Sequence, residues 1–176
     1  MILNKLFGKF QLKIKIRESA RNILAGSLKN HLKKVSRSDI MIVGLPRGGF
    51  IVAEIIATKL SCSLDMILVK RLRAPYNEEM AIGAVTEDGA AYLNNALLEE
   101  LKISNEYISN ESSLQLEEIK RQAELYYERK KRFLDEKNIT IGDKTIVIVD
   151  DGAATGSTIM ASVKSLRNKY GTNLLS

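Results

Sequence analysis

Apolar positions fall into two spacings along the chain. Ile40–Gly44 (IMIVG), Leu64–Val69 (LDMILV) and Thr145–Val149 (TIVIV) are short, nearly continuous apolar runs. Runs of that length predict strands buried on both faces. The stretches between them repeat at helical spacing. Ala20, Ile23, Leu24, Leu28 and Leu32 form one stripe and predict a helix over 17–36. Helices are also predicted over Gly48–Leu60 and Ser157–Lys169. A long helix is predicted over 105–136, with Ile108, Leu116, Ile119, Ala123, Tyr126 and Phe133 on one side. Its other side carries the pairs Glu117/Arg121 and Glu128/Arg132. Two segments alternate instead. Phe10, Leu12, Ile14 and Ile16 are interleaved with Gln11, Lys13 and Lys15, as in a half-buried strand. Ala81–Val85 and Ala90–Leu93 flank Glu87-Asp88-Gly89, a hairpin signal.

Apolar strands alternating with helices imply an α/β fold: a Rossmann-like parallel sheet flanked by helices. No repeat, low-complexity tract or Pro/Gly-rich linker divides the 176 residues. The expectation is one domain over 1–176, with a basic strand and helix over 1–37 and a core over 38–170. Ligands of such sheets bind beyond the carboxyl ends of the strands. Three loops leave those ends: Gly44–Gly49, Lys70–Asn77 and Asp150–Ser157. They should converge on one site.

Charge changes this picture at one end only. The net charge is +6, yet residues 1–37 hold ten Lys and Arg against Glu18 alone. The body is therefore slightly acidic. The basic arm reads as a solvated face, with nucleic acid or an anionic membrane as its functional alternative. No apolar run is long enough for a membrane span, and the N-terminus does not read as a signal peptide. One cysteine, Cys62, excludes an internal disulfide framework and suits a reducing, cytoplasmic setting. The lone His31 reads as a surface or packing residue, and a zinc site is excluded by the count.

The densest chemistry lies in Asp150-Asp151-Gly152-Ala153-Ala154-Thr155-Gly156-Ser157-Thr158, after the third strand. The small residues Gly152, Ala153, Ala154 and Gly156 let backbone approach a ligand. Successive N–H groups and a helix N-terminus favour an anion. Thr155, Ser157 and Thr158 add hydroxyl donors. Asp150 and Asp151 are acceptors suited to vicinal sugar hydroxyls or to Mg²⁺. A ribose 5-phosphate has a diol and a phosphate in that arrangement. No Lys follows Gly156, so this is not a Walker A loop, and the glycine spacing is not a dinucleotide fingerprint.

This segment resembles the phosphoribosyl-pyrophosphate signature of type I phosphoribosyltransferases: a strand, two acids and a small-residue loop. Gly44-Leu45-Pro46-Arg47-Gly48-Gly49-Phe50 resembles the pyrophosphate loop of that family. Val69-Lys70-Arg71-Leu72-Arg73-Ala74-Pro75 and Glu79-Met80-Ala81-Ile82-Gly83-Ala84-Val85 resemble motifs of a bacterial and archaeal subgroup. Arg73 and Glu78 depart from the subgroup pattern, which commonly has glycine and proline there.

The resemblance implies the fold named above and a reaction. Ribose 5-phosphate passes from phosphoribosyl pyrophosphate to a nitrogenous acceptor, a nucleobase by expectation, in nucleotide salvage, and pyrophosphate leaves. It implies Mg²⁺ as cofactor, held with Asp150 and Asp151, and a proton-transfer role for Asp151. Ala153–Thr158 would hold the 5-phosphate. Arg47 with the Gly48 and Gly49 amides would hold pyrophosphate, beside a strained peptide bond, of the kind that can be cis, at Pro46–Arg47. Lys70 and Arg71 would add charge to the leaving group. Tyr76, Asn77, Glu78 and Glu79 would begin a mobile catalytic loop. The family continues past the last helix into a further strand, whereas this sequence stops at Ser176, so a sheet short of its C-terminal strand is expected. Such a sheet invites pairing into a homodimer. Neither a membrane nor nucleic acid is expected as a partner. Two other readings remain open: a non-catalytic regulator that binds phosphoribosyl pyrophosphate or a nucleotide, and an inactive short member of the family.

Overall fold

A computed structural model describes residues 17–130, 144–152 and 155–170. The predicted strand over 10–16 and the chain end at 171–176 lie outside the described residues. Helix α1 is Arg17–His31, followed by a 3-10 turn at Arg37–Asp39. Strand β1 is Ile40–Gly44, helix α2 Gly48–Leu60 and strand β2 Ser63–Met66. Strands β3 (Val69–Ala74), β4 (Asn77–Thr86) and β5 (Ala91–Leu93) follow. Helices α3 (Asn95–Glu100) and α4 (Asn105–Lys130), strand β6 (Thr145–Val149) and helix α5 (Ser157–Tyr170) complete the order.

The β2, β1 and β6 strands pair in parallel, in that order, with β1 in the middle. Every residue of β1 is buried, as an unbroken apolar run requires. Its side chains alternate between two cores. Ile40 and Ile42 pack with Leu28 of α1 and with Phe50, Ala53 and Ile56 of α2. Met41 and Val43 pack with Ile159 and Leu166 of α5 on the other face. This confirms helices on both faces of a parallel sheet. Strand β6 is only half-buried from Thr145 to Ile148, against the expectation of a fully buried strand. It pairs with β1 on one side and, among the described residues, with no strand on the other.

The β3, β4 and β5 strands form a separate antiparallel sheet. The expected hairpin at Glu87–Gly89 is present, and Gly89 takes φ 82° there, a value glycine adopts without penalty. One expected strand is divided. Leu64–Val69 breaks after Met66, and Val69 starts β3 in the second sheet. Ile67 and Leu68 at the break are buried in different cores, so the apolar run continues while the backbone turns. The expected loop Lys70–Asn77 is mostly strand. Leu72 and Ala74 are buried while Arg71 and Arg73 are exposed, the period-2 alternation of β3. Lys70, Arg71 and Arg73 mask that pattern in the sequence. Helix α1 ends at His31, short of the expected 36. In α4, Ile108, Leu116, Ile119, Ala123 and Tyr126 cover the antiparallel sheet as expected, and Phe133 lies outside the described residues. The described ion pair on α4 is Arg121 with Glu118, not with Glu117.

Register between β3 and β4 slips on both sides of Arg73. Helix α4 supplies the partners there. Glu111 Oε1 accepts from Arg73 N at 3.1 Å and from Gln115 Nε2 at 3.1 Å. Tyr107 donates its hydroxyl to Arg73 O at 3.1 Å. Glu111 is buried, so removing its carboxylate leaves donors unsatisfied. Glu111→Ala should cost about 1–3 kcal/mol in denaturant unfolding. It should also speed amide exchange at Arg73; unchanged exchange would show that β4 alone holds the hairpin.

Candidate functional site

The order β2-β1-β6 makes the crevice between β1 and β6 a topological switch point, where chain connections leave in opposite directions. The loops after β1 and after β6 meet there. Leu45 N donates to Val149 O at 2.9 Å, and Phe50 N to Leu45 O at 3.1 Å. The approach is close because Gly48 and Gly49 carry no side chain. A Cβ on Gly49 would stand 2.7 Å from Val149 O and 2.8 Å from Asp150 Cα. A Cβ on Gly48 would overlap the Asp151 carboxylate. So Asp151 lies against the first turn of α2, whose N-cap Arg47 offers no side-chain cap bond. The Pro46–Arg47 peptide bond is cis.

Asp150 accepts the Asp151 N–H through Oδ1 at 2.9 Å. Burial pushes the Asp150 pKa up to about 6; that N–H opposes the rise and the Asp151 charge adds to it. Gly152 is exposed with open space around it. Ala153 and Ala154 lie outside the described residues. Thr155 Oγ1 and Ser157 Oγ are 2.9 Å apart, and Thr155 Oγ1 also accepts from Ser157 N at 3.4 Å. Ser157 is buried and Thr155 exposed. Gly156 has φ 75° at the entry to α5, where Thr158 occupies the first turn.

Lys70 joins this group from the second sheet. A cavity of about 90 Å³ is lined by Pro46 and Arg47, by Leu68, Val69 and Lys70, and by Ile119 and Gln122 of α4. Partial burial lowers the Lys70 pKa; Glu118 opposes this, and Arg47, Arg73 and Arg121 add to it. Arg71, next along β3, is exposed and does not line the cavity. Tyr76 is 96% exposed at the tip between β3 and β4. Arg73 and Glu78, the two departures from the subgroup pattern, form an ion pair at 3.6 Å across that hairpin. The structure thus brings together Pro46, Arg47, Gly48, Gly49, Asp150 and Asp151, with Lys70 across the cavity from the loop.

Ile119 and Gln122 are lining residues that the sequence conceals, because α4 reads as an ordinary amphipathic helix. The one signal is Gln122 standing among charged residues beside the apolar stripe. His31 is exposed and its Nδ1 bonds Ser27 O at 2.8 Å, as a surface histidine would. Cys62 packs against the first core, and burial raises its pKa.

These strand-end acids, glycine contacts and basic cavity coincide with a sequence profile. The phosphoribosyl transferase domain profile matches residues 12–174, and the chain belongs to that family. The fold is that of the type I phosphoribosyltransferases. The crystal structure of TT1426 from Thermus thermophilus superposes with a TM-score of 0.59 at 32% identity, covering 84% of this chain and 67% of that one. Mycobacterium tuberculosis has a "Putative phosphoribosyl transferase" in each of two strains, MT0597 and Rv0571c, 34% identical over 140 residues. The matched stretch covers 80% of this chain and 30% of each of those proteins, so the chain spans under a third of their length. Among the described residues no helix is long and apolar enough to cross a membrane.

The two glycines should separate fold from site. Gly49→Ala meets backbone and should cost about 1–3 kcal/mol in unfolding. Gly48→Ala meets a carboxylate that can swing away, so it should displace Asp151 with a smaller loss. Equal losses would place both contacts in the fold alone.

Asp150 gives a pH test. Between about pH 4 and 6 the folded chain keeps a proton that the unfolded chain has lost, so stability falls as pH rises through that window. Asp150→Asn removes this cost. At pH 8 it should gain about 1 kcal/mol, discounted for partial exposure. The gain should vanish near pH 4. A loss at pH 8 would show that the carboxylate stabilises the fold.

Proposed function

We propose that the site takes phosphoribosyl pyrophosphate and transfers its ribose 5-phosphate to a nitrogenous acceptor, a nucleobase, releasing pyrophosphate. The observation that carries this reading is the packing of Gly48 against Asp151. It sets the loop that carries Arg47 against the two strand-end acids, Asp150 and Asp151. Acceptors and cations are then neighbours, as a ligand with a sugar diol and a diphosphate requires.

Each group has a part in this reading. Asp150 and Asp151 accept hydrogen bonds from the ribose hydroxyls. The loop from Gly152 to Thr158 and the N-terminus of α5 take the 5-phosphate. Arg47 and Lys70, with the Gly48 and Gly49 amides, stabilise charge that grows on the departing diphosphate. The reacting carbon becomes cationic as that group leaves. Stabilising the leaving group is therefore the main demand, and no nucleophilic side chain is needed. Arg71 stays outside the cavity and would act only at longer range.

Mg²⁺ fits the donor set. Two hard carboxylate oxygens at a strand end, with substrate phosphates as further ligands, are how this ion is commonly held. Among the described residues no group of three or more His, Cys, Asp or Glu stands ready to hold a metal. Asp150 and Asp151 would hold the ion together with the donor's own oxygens. The ion would supply charge neutralisation to the leaving group. The raised pKa of Asp150 implies that donor binding weakens as pH falls below about 6.

Thermal-shift titration with phosphoribosyl pyrophosphate and Mg²⁺ tests the reading. Ligand at about 100 times its Kd should stabilise the chain by about 2.7 kcal/mol. Asp150→Asn/Asp151→Asn should lose the shift. No shift in the folded wild type would reject the donor site. A shift without turnover across a nucleobase screen would favour the regulator reading.

A further inference from the structure

Helix α4 has no part in the site as proposed, yet it closes the basic cavity with Ile119 and Gln122. Glu118, Arg121 and Gln122 lie at i, i+3 and i+4, on one face of that helix. Glu118 Oε1 accepts from Gln122 Nε2 at 2.7 Å, and Oε2 accepts from Arg121 Nη2. The Glu118 side chain is 30% exposed, so it is neither fully solvated nor sealed in. Its charge also favours the ammonium of Lys70, which lines the cavity. Two cations, Lys70 and Arg121, therefore act on this one acid, and Arg47 acts on Lys70 from the loop. Pro46, Leu68 and Val69 give the cavity an apolar side, where charge interactions are screened less than in bulk water.

This arrangement is a cationic cavity with a partial counter-ion beside it, bonded to the lining residue Gln122. A diphosphate arriving beside Arg47 and Lys70 would be repelled by Glu118. It would also compete with Glu118 for the donors of Arg121 and Gln122. Gln122 already lines the cavity, and Arg121, its neighbour along the helix, is exposed and carries a long side chain.

We propose that Glu118 is a built-in counter-ion of the Arg47–Lys70 cavity, displaced by an incoming diphosphate group, and that Gln122 and Arg121 then become further binding residues for it. This builds on the reading that the cavity takes the pyrophosphate end of the donor. Its consequence is selectivity. A monoanion or a single weakly charged group does not repay the loss of the Glu118 contacts, whereas a diphosphate does.

Calorimetric titration of the full chain with inorganic pyrophosphate, without a sugar, tests the inference. Wild type, Glu118→Gln, Gln122→Ala and Arg47→Ala would be compared at one ionic strength. Glu118→Gln should bind about 2- to 5-fold tighter, the range of one surface charge interaction. The gain should shrink as salt is raised. Gln122→Ala should bind more weakly, and Arg47→Ala should lose binding. Gln keeps the size and helix propensity of Glu, and an unchanged circular dichroism melt checks the fold. Equal or weaker binding by Glu118→Gln, with wild type still binding, overturns the counter-ion and leaves the pyrophosphate reading standing. Binding by neither wild type nor Glu118→Gln overturns both.

Discussion

Two stretches of chain far apart in sequence touch backbone to backbone at the end of the parallel sheet, and the site depends on that contact. Gly49 lies against Val149 O and Asp150 Cα, and Gly48 against the Asp151 carboxylate. A side chain at Gly49 would hold the loops apart, and one at Gly48 would displace the Asp151 carboxylate. The contact fixes where the acids stand relative to Arg47. It also fixes the start of α2, since Phe50 N bonds back to Leu45 O. The buried β1 strand makes this possible by pairing with β2 on one edge and β6 on the other.

Charge is arranged around that contact in two regions. The acids sit together at the end of β6, where burial, with mutual repulsion added, lets Asp150 keep its proton up to about pH 6. The cations sit on the other side of the loop, in a cavity shared by two sheets and a helix. Like charges grouped in this way work against stability and suit a ligand with anionic groups for the cations and hydroxyl donors for the acids. The sugar diphosphate of the proposed function has both.

The second sheet has a positioning role. Helix α4 holds the bulged hairpin at Arg73 through Glu111 and Tyr107. Further along, the same helix reaches the cavity through Ile119 and Gln122, with Glu118 beside them. Lys70 stands on β3 between these two attachments. Its place at the cavity therefore follows from how α4 packs on the antiparallel sheet, not from the parallel sheet where the acids lie.

Much of this was legible in the chain. Apolar runs located β1 and β6 to the residue, and helical spacing located α2 and most of α5, because buried strands and amphipathic helices bury fixed patterns. The acids and small residues after β6 suggested a sugar-phosphate ligand by their chemistry, and the glycines after β1 suggested one only through the family resemblance; the structure shows that these two loops meet. The middle of the chain was less legible. A continuous apolar run cannot show where the backbone turns from one sheet to the next, so Leu64–Val69 looked like one strand. Lys70, Arg71 and Arg73 disguised β3 as a loop, because its polar face is unusually basic. Only the tertiary structure decided that Lys70 shares a cavity with Arg47 while Arg71 does not, and that α4 brings Ile119 and Gln122 to the same cavity. Those facts depend on strand register and on the packing of a helix distant in sequence, and local sequence carries neither.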